Sequence, residues 1–356
     1  MYRLNDKIKD LKPYDPVGER YRIHLDANES FLPIPAEVLE EVKADLDKLE
    51  FNRYPDPLAK EACEAFSGYY GVPVRNVVAG NGSDELITVI FTAFLQKGDA
   101  FATLEPDFSM YAFNGFLQEM RHVVIGKKED FTLDIDRVIE TCNNEGVKLL
   151  IFSNPCNPTS LGLDRAAVRR IISGVSALVV LDEAYMDFWE ESMLQEAAEY
   201  DNLLVLKTCS KAFGLAALRV GFAVGCEKLI RAVKAVKSPY NVNALSQRMA
   251  EVVLNSRGEC GAATRRLLLA RDELQAGLEQ IAGQFPGQMA VVPSVTNFVV
   301  LRTPQAEALF KKLLSDSIAV RYFKNMSALR ITAGATGENA AVLAHIRDFF
   351  EAQKEA

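Results

Sequence analysis

Cysteine and histidine are scarce in this chain of 356 residues and follow no metal-ligand spacing. Six cysteines and three histidines lie far apart: Cys63, Cys142, Cys156, Cys209, Cys226, Cys260, His24, His122 and His345. Scattered cysteines in a chain of this size indicate reduced thiols, which argues against a disulfide framework and against a zinc site. We therefore expect no metal.

Long apolar runs and an excess of basic residues are also missing. No run approaches the ~20 apolar residues that a membrane-spanning helix needs. The chain has 40 Lys and Arg against 48 Asp and Glu, a net charge of -8, which argues against a nucleic-acid partner. The first residues, MYRLNDKIKDLKPYDP, are charged and lack the apolar stretch of a signal peptide. We expect a cytoplasmic protein that binds neither membrane nor nucleic acid.

Short apolar runs alternate with helical patterns in the middle of the chain. Several runs, such as LLIF and ALVVL, show no polar alternation, as expected when helices cover both faces of a mainly parallel sheet. The predicted strands are Asn76–Ala79, Ala100–Leu104, His122–Ile125, Lys148–Ser153, Ala177–Asp182, Leu203–Lys207 and Arg219–Val224. The predicted helices between and after them are Asp84–Leu95, Ser109–Glu119, Asp164–Ser173 and Glu227–Lys237. This pattern predicts a doubly wound α/β domain.

Beyond about Pro239 the pattern changes. A long helix is predicted at Arg257–Ile281, and two short strand pairs and two helices follow it: Ala290–Val292 with Asn297–Leu301, Ile318–Tyr322 with Leu329–Thr332, Gln305–Leu314 and Glu338–Glu351. We expect an extended N-terminal arm (1–30), a large domain (31–240) and a smaller α+β domain (241–356).

Ligands of open α/β sheets bind beyond the carboxyl ends of the strands, so the residues directly after each strand are the candidates for a site. Gly80-Asn81-Gly82-Ser83-Asp84 opens a helix after the first strand, where free N–H groups attract phosphate, although a plain tight turn is as good an interpretation. The run from Asn154 to Thr159, NPCNPT, holds an amide on a stiff turn, and taken alone it is better interpreted as a rigid loop.

Two further strand ends carry charge. Asp182 ends a buried run, where a carboxylate is costly unless a cation faces it, as a protonated pyridine would; the alternative is a helix cap. Lys211 lies beside the hydroxyls of Thr208 and Ser210, with Arg219 eight residues later. A lone loop lysine is usually solvated, but lysine is also the side chain that forms imines with carbonyl cofactors, and hydroxyls and a guanidinium bind phosphate. Together the strand ends predict one phosphorylated carbonyl cofactor.

Nearly the whole chain resembles the fold-type I pyridoxal-phosphate aminotransferases, and within them the histidinol-phosphate aminotransferase family. The matching segments are LDANES (25–30), NRYPDP (52–57), GNGSDE (80–85), NPCNPT (154–159), DEAYMDF (182–188), TCSKAFGLAALRVGF (208–222) and LRITAGA (329–335). The resemblance implies the fold of that family, a mainly parallel seven-stranded sheet sandwiched by helices with a smaller α+β C-terminal domain. It also implies pyridoxal 5′-phosphate as cofactor.

By position, the resemblance implies that Lys211 forms the Schiff base and moves a proton, while Asp182 pairs with the ring nitrogen. Asn157 and Tyr185 would hydrogen-bond the ring's 3′ oxygen, and the ring would stack on Phe108. The implied phosphate contacts are Ser83, Asp84, Thr208, Ser210, Arg219 and, across the interface of a homodimer, Tyr54. The implied substrate contacts are Arg330, Arg321, Tyr14 and Asn28.

The implied reaction is a ping-pong transamination between glutamate and imidazole-acetol phosphate, which yields 2-oxoglutarate and histidinol phosphate. An aromatic amino-acid aminotransferase and a threonine-phosphate decarboxylase are alternatives on the same fold. A regulator that only senses the cofactor is a more remote alternative. Two positions depart from the family, because Cys156 and Ser160 stand where relatives usually carry Asn and Gly. Since Asn157 is retained, we expect little effect on catalysis.

Overall fold

The structure is a computed structural model that describes residues 2–13 and 21–354. These residues form twelve strands, numbered in chain order: β1 Ile23–Leu25, β2 Val77–Gly80, β3 Ala100–Glu105, β4 Arg121–Gly126, β5 Val147–Ser153, β6 Leu178–Asp182, β7 Leu203–Thr208, β8 Gly221–Val224, β9 Ala290–Val292, β10 Phe298–Arg302, β11 Ile318–Phe323 and β12 Ala328–Thr332. They also form eleven α-helices: α1 Ala36–Asp45, α2 Lys60–Tyr70, α3 Ser83–Phe94, α4 Met110–Leu117, α5 Ile135–Asn144, α6 Arg165–Gly174, α7 Glu227–Val236, α8 Ala244–Asn255, α9 Arg257–Gln284, α10 Ala306–Ser315 and α11 Thr336–Lys354.

The larger of the two sheets has seven strands in the order β2-β8-β7-β6-β5-β3-β4. Only β8 runs antiparallel to its two neighbours. Helices cover both faces: α1, α2, α5, α6 and α8 pack on one, and α3, α4 and α7 on the other. The central strands are buried on both faces, as their unbroken apolar runs predicted. The predicted fold class is confirmed.

A five-stranded sheet, in the order β1-β11-β12-β10-β9, forms the smaller unit. Apolar side chains of α9, α10 and α11 make a separate core against it. Strand β1 pairs in parallel with β11, so part of the first thirty residues, expected to be extended, is a strand of this sheet.

The predicted strands all recur within three residues of their expected ends, and four helices are additional: α1, α2, α5 and α8. Helix α8 packs on α2 and contributes to the core of the large sheet, although it lies beyond residue 240. The division into domains at 30 and 240 stays a prediction.

All six cysteines are free. In the part of the chain that the structure describes, no helix has the length and apolarity to cross a membrane, and no cluster of three or more His, Cys, Asp or Glu could hold a metal ion.

Candidate active site

A cleft of about 620 Å³ lies where the carboxyl ends of the parallel strands face the five-stranded sheet. The carboxyl ends of β2, β3, β5, β6 and β7 reach the same edge because these strands are parallel, and β8 begins there. Of the predicted site residues that the structure describes, all except Tyr54 line this cleft: Asn28, Ser83, Asp84, Phe108, Asn157, Asp182, Tyr185, Thr208, Ser210, Lys211, Arg219, Arg321 and Arg330.

Lys211 projects into the cleft from the loop after β7. Its amine donates a 2.9 Å hydrogen bond to the carbonyl oxygen of Ala27 and lies 5.9 Å from the centre of the Tyr185 ring. The Tyr185 hydroxyl accepts a 2.8 Å hydrogen bond from the side-chain amide of Asn28. Asn28 is buried and has a φ of 55°, a conformation that asparagine tolerates better than most residues. The segment after β1 thus fixes both the amine and the phenol.

Asp182, the last residue of β6, places a carboxylate under the cleft. Its Oδ2 accepts a 2.7 Å hydrogen bond from the Tyr111 hydroxyl and its Oδ1 accepts one from the Ala184 backbone at 3.1 Å. Burial raises the pKa of Asp182 to about 6, because among the described residues only these neutral donors, and no cation, contact the carboxylate. Burial also raises the pKa of Tyr111 well above its ordinary value, so the phenol remains a donor. The carboxylate is suited to pairing with a cationic group in the cleft.

Hydroxyl and guanidinium groups form an anion cradle beside the start of α3. Thr208 donates a 3.0 Å hydrogen bond to the Ser210 hydroxyl, which also accepts one from Arg219 at 3.3 Å. Arg219 also pairs with Asp84 at 3.0 Å. The backbone N–H groups at the start of α3, from Ser83 onward, face the same cleft, and a helix N-terminus favours an anion. These donors suit a phosphate.

Two glycines allow the cradle to close. A Cβ atom on Gly82 would lie 2.8 Å from the Arg219 guanidinium, and one on Gly221 would lie 2.5 Å from the Ser83 backbone nitrogen. Gly82 also has a φ of 81°, a conformation that favours glycine. The GNGSD segment is therefore shaped for a close approach as well as for a turn.

Two arginines face the cleft from the five-stranded sheet. Arg321 on β11 and Arg330 on β12 are directly paired across the antiparallel ladder. Arg330 donates a 2.5 Å hydrogen bond to the side-chain oxygen of Asn157 and a second one to the Asp26 carbonyl. Like charges on directly opposed strand positions repel, so an anion between them is stabilised. This end of the cleft is suited to a carboxylate or a phosphate.

One of the predicted residues that the structure describes does not line the cleft. Tyr54 is 81% exposed and stacks on Tyr240, with ring centres 4.5 Å apart. Tyr14 lies outside the described residues. Phe108 lines the cleft, and its ring meets Tyr111 edge-on with a centre separation of 5.5 Å.

Sequence reasoning missed Asp107 and Tyr111, which both line the cleft. A signal was available, because both follow the strand Ala100–Glu105, and polar side chains after a parallel strand are candidates for a site. Asp107 also lines a second, smaller cavity of about 250 Å³, together with Lys127 and Cys156. Cys156 is buried, which raises the pKa of its thiol.

Residues 22–346 match the family model for aminotransferase class I and II. The chain belongs to this family of aminotransferases. Among curated members, histidinol-phosphate aminotransferase from Clostridium novyi (strain NT) is 40% identical over 94% of either chain. The enzyme of the same name from Clostridium kluyveri (strain NBRC 12016) is 38% identical over 96% of either chain.

Solved structures of aminotransferases share the fold. The crystal structure of histidinol-phosphate aminotransferase from Sinorhizobium meliloti, in complex with pyridoxal-5′-phosphate, matches this aminotransferase with a TM-score of 0.90. The match covers 99% of both chains at 20% sequence identity. At that identity the likeness concerns the fold.

Proposed function

We propose that this aminotransferase moves an amino group between glutamate and imidazole-acetol phosphate, forming 2-oxoglutarate and histidinol phosphate in histidine biosynthesis. The curated relatives named for this activity align over nearly the full chain at 38–40% identity. The observation that carries the proposal is the pair Arg321 and Arg330, which faces Lys211 across one cleft. The two amino compounds of this reaction, glutamate and histidinol phosphate, each present an amino group and an anionic end.

The cofactor is pyridoxal 5′-phosphate, and the donor set of the cleft suits it. The bound cofactor supplies an aldehyde that captures the amino group and a ring that accepts electrons from Cα. The cradle of Thr208, Ser210, Arg219 and the start of α3 would hold its phosphate. The carboxylate of Asp182 is buried beneath the cleft and accepts a hydrogen bond from the neutral Tyr111 hydroxyl, so its negative charge would face a protonated ring nitrogen.

Lys211 would carry the cofactor and then move the proton at the substrate's Cα. Its side chain reaches the cleft from the end of β7, while the Ala27 carbonyl orients its amine. Tyr185 would hydrogen-bond the 3′ oxygen of the cofactor, oriented by the Asn28 amide. Asn157 would contact the same oxygen and also hold Arg330. Phe108 would pack on the ring.

Arg330 would bind the carboxylate of glutamate in one half-reaction and the phosphate end of the second substrate in the other. A guanidinium serves both because carboxylates and phosphates each accept two parallel hydrogen bonds. Arg321, opposite it on β11, adds a second positive charge for the doubly charged phosphate. Sharing one anion site between two substrates explains why one product has to leave before the next substrate enters.

We also propose a cytoplasmic homodimer with shared active sites. One segment of the chain exposes three large apolar side chains, Phe51, Tyr54 and Leu58, and Tyr54 stacks on Tyr240. Exposed aromatic side chains of this kind are typical of a protein interface. Tyr54 would then reach the cofactor phosphate of the partner subunit.

A spectroscopic half-reaction screen tests the substrate. Histidinol phosphate, glutamate, phenylalanine, tyrosine and threonine phosphate are added one at a time to the holoenzyme, and the cofactor absorbance is followed. We expect full conversion with histidinol phosphate and glutamate. Conversion by phenylalanine but not by histidinol phosphate would make the protein an aromatic aminotransferase, and release of carbon dioxide from threonine phosphate would make it a decarboxylase.

Chemical trapping tests the role of Lys211 independently. Borohydride reduction of the holoenzyme followed by peptide mapping should place the added cofactor mass on Lys211. Label on another lysine, or none, would contradict the assignment. Lys207, two strand positions from the loop, is an internal control because its buried amine pairs with Asp187 at 2.9 Å and should stay unlabelled.

A further inference from the structure

A buried lysine lies behind the cleft without lining it. The side chain of Lys127, just after β4, is 4% exposed. Its amine donates hydrogen bonds to the carbonyl oxygens of Leu104 and Pro106, the latter at 2.6 Å, and contacts the Cys156 sulfur at 3.3 Å. Burial disfavours the charge, but the neighbouring Cys156 and Asp107 outweigh it and raise the pKa of Lys127, so the amine stays an ammonium. An ion buried this thoroughly needs a partner to offset its desolvation.

The partner is Asp107, whose Oδ2 lies 3.9 Å from the Lys127 amine. The Asp107 side chain is fully buried and acts as an acceptor through both oxygens. Oδ2 accepts a 3.1 Å hydrogen bond from the Ser153 backbone, and Oδ1 accepts one from the Phe108 backbone at 2.8 Å and another from the Ser153 hydroxyl. An ionised carboxylate has acceptor lone pairs on both oxygens and no proton to place, so it suits these three donors best.

The contacts continue to the substrate side of the cleft. The Ser153 hydroxyl oxygen accepts a 3.1 Å hydrogen bond from the Asn157 backbone, and the Asn157 side chain accepts the 2.5 Å hydrogen bond from Arg330. Direct contacts therefore join Lys127 to Arg330 through Asp107, Ser153 and Asn157. Of the two cavities described among residues 2–13 and 21–354, Lys127 lines the smaller one, so it is not placed to contact a substrate in the main cleft.

We propose that Lys127 is a positioning residue, whose buried ammonium holds Asp107 as an acceptor and thereby sets the place of Asn157 and Arg330. The inference rests on the proposed function, since Arg330 is taken as the anion-binding residue. It assigns Lys127 to substrate binding, with no part in proton transfer. Its loss should therefore weaken binding of the anionic end more than it slows the chemical step.

The charges around Asp107 predict how this weakening varies with pH. Burial raises the pKa of Asp107 to about 6, and Lys127 opposes the rise. Within the described residues, the other ionisable groups facing the pair are Cys156 on the Asn-Pro turn, Asp182 on β6, Tyr111 on α4 and Glu105 on β3, and none of these four supplies a positive charge. Without Lys127 the carboxyl takes up a proton at higher pH, and the acceptor pattern toward Ser153 is lost.

The test compares holoenzymes carrying Lys127→Met and Lys128→Met. Lys128 is the neighbouring lysine and is exposed, so its variant controls for the loss of one charge. Calorimetry measures the dissociation constant of glutarate, a dicarboxylate with no reacting group, at pH 7 and pH 9. We expect about tenfold weaker binding for Lys127→Met at pH 7, a smaller deficit at pH 9, and no change for Lys128→Met. The maximal rate of the half-reaction with histidinol phosphate should change less than threefold.

A double-variant cycle shows whether Lys127 acts through Asp107. Asp107→Asn alone should weaken glutarate binding to a similar extent, and Asp107→Asn with Lys127→Met should be no worse than either single change. If Lys127→Met fails to fold, Asp107→Asn alone still tests whether the carboxylate supports glutarate binding. Glutarate binding equal to that of Lys128→Met at pH 7, additive losses in the cycle, or a loss confined to the maximal rate would each overturn the inference. Failure of the unchanged enzyme to convert histidinol phosphate would instead overturn the proposed function.

Discussion

The Tyr111 hydroxyl donates a 2.7 Å hydrogen bond to Oδ2 of Asp182, and both side chains are buried beneath the cleft. Tyr111 lies on α4, which follows β3, and Asp182 is the last residue of β6, so the contact joins a helix to the end of a different strand. A hydrogen bond to the ionised form keeps the carboxylate charged in a place where burial favours its protonation.

Tyr111→Phe should therefore lower turnover while leaving the fold intact. A hydrogen bond to a charged group contributes about 1.5–3 kcal/mol, so we expect kcat to fall roughly 10- to 100-fold. Because the ionised form of Asp182 loses a donor, its pKa rises, and the acidic limb of the kcat–pH profile should move to higher pH. Steady-state kinetics between pH 6 and pH 9 check both effects. An unchanged profile would contradict the role given to Tyr111.

Gly221→Ala should weaken cofactor binding. The added Cβ would lie 2.5 Å from the Ser83 backbone nitrogen and 2.7 Å from the Gly82 carbonyl carbon, so the start of α3 has to move. We expect about tenfold weaker binding of pyridoxal phosphate, measured by titration of the cofactor-free protein. Gly126→Ala is the matched control, since Gly126 ends β4 of the same sheet and its Cβ would meet open space. Equal affinities for the two variants would argue against the close approach.

Ser160→Gly should leave stability nearly unchanged, whereas Ser160→Ala should lower it. Ser160 has a φ of 63°, which costs about 1 kcal/mol or more for a residue other than glycine. Its hydroxyl lies 2.5 Å from the Thr159 carbonyl oxygen and 3.1 Å from the Pro293 carbonyl oxygen, and the hydrogen bond it donates there offsets about 1 kcal/mol. Ser160→Gly removes both the backbone strain and the hydrogen bond, whereas Ser160→Ala keeps the strain and removes the hydrogen bond. Thermal unfolding of the two variants should separate them, and equal midpoints would refute this balance.

Glu183→Gln should change the pH dependence of stability. Burial raises the pKa of Glu183 to about 7, although the carboxyl accepts hydrogen bonds from Ser192 at 2.5 Å and from the Met193 backbone at 2.7 Å. The folded-state pKa lies above the ordinary value of 4.5, so between about pH 5 and pH 7 the folded protein holds a proton that the unfolded chain has lost. Stability of the unchanged protein should therefore fall, relative to Glu183→Gln, as the pH rises through this window. Unfolding midpoints at pH 5, 6, 7 and 8 measure the difference, and parallel curves would contradict it.

Much of the fold could be predicted because its signals are local. The apolar runs at β5, β6 and β7 are buried on both faces, and a run without polar alternation indicates such a strand. Helix α1 went unpredicted because most of its ten residues stay exposed, which leaves little apolar periodicity to read. Helix α8 was not recognised because it follows the last strand of the large sheet, where the alternation of strands and helices has ended.

The sequence predicted those site residues that lie at strand ends or in family motifs. Asp182, Lys211 and Arg219 lie together because parallel strands deliver their carboxyl ends to one edge. Tyr54 does not line the cleft of its own chain, and no pattern within one chain predicts how a second copy would complete a site. Lys127 gave no signal, since nothing in a pair of lysines after an edge strand marks the first of them as buried.

The sequence by itself determined most of the strands and helices, their order and the chemical groups that come after each strand. Those properties depend on residue type and on neighbours within a few positions. Only the tertiary structure decided which groups meet: Asn28 contacts Tyr185 across 157 positions, and Arg330 contacts Asn157 across 173. Periodicity shows which side of a strand or helix is buried, but the partner on that side depends on how the two sheets pack.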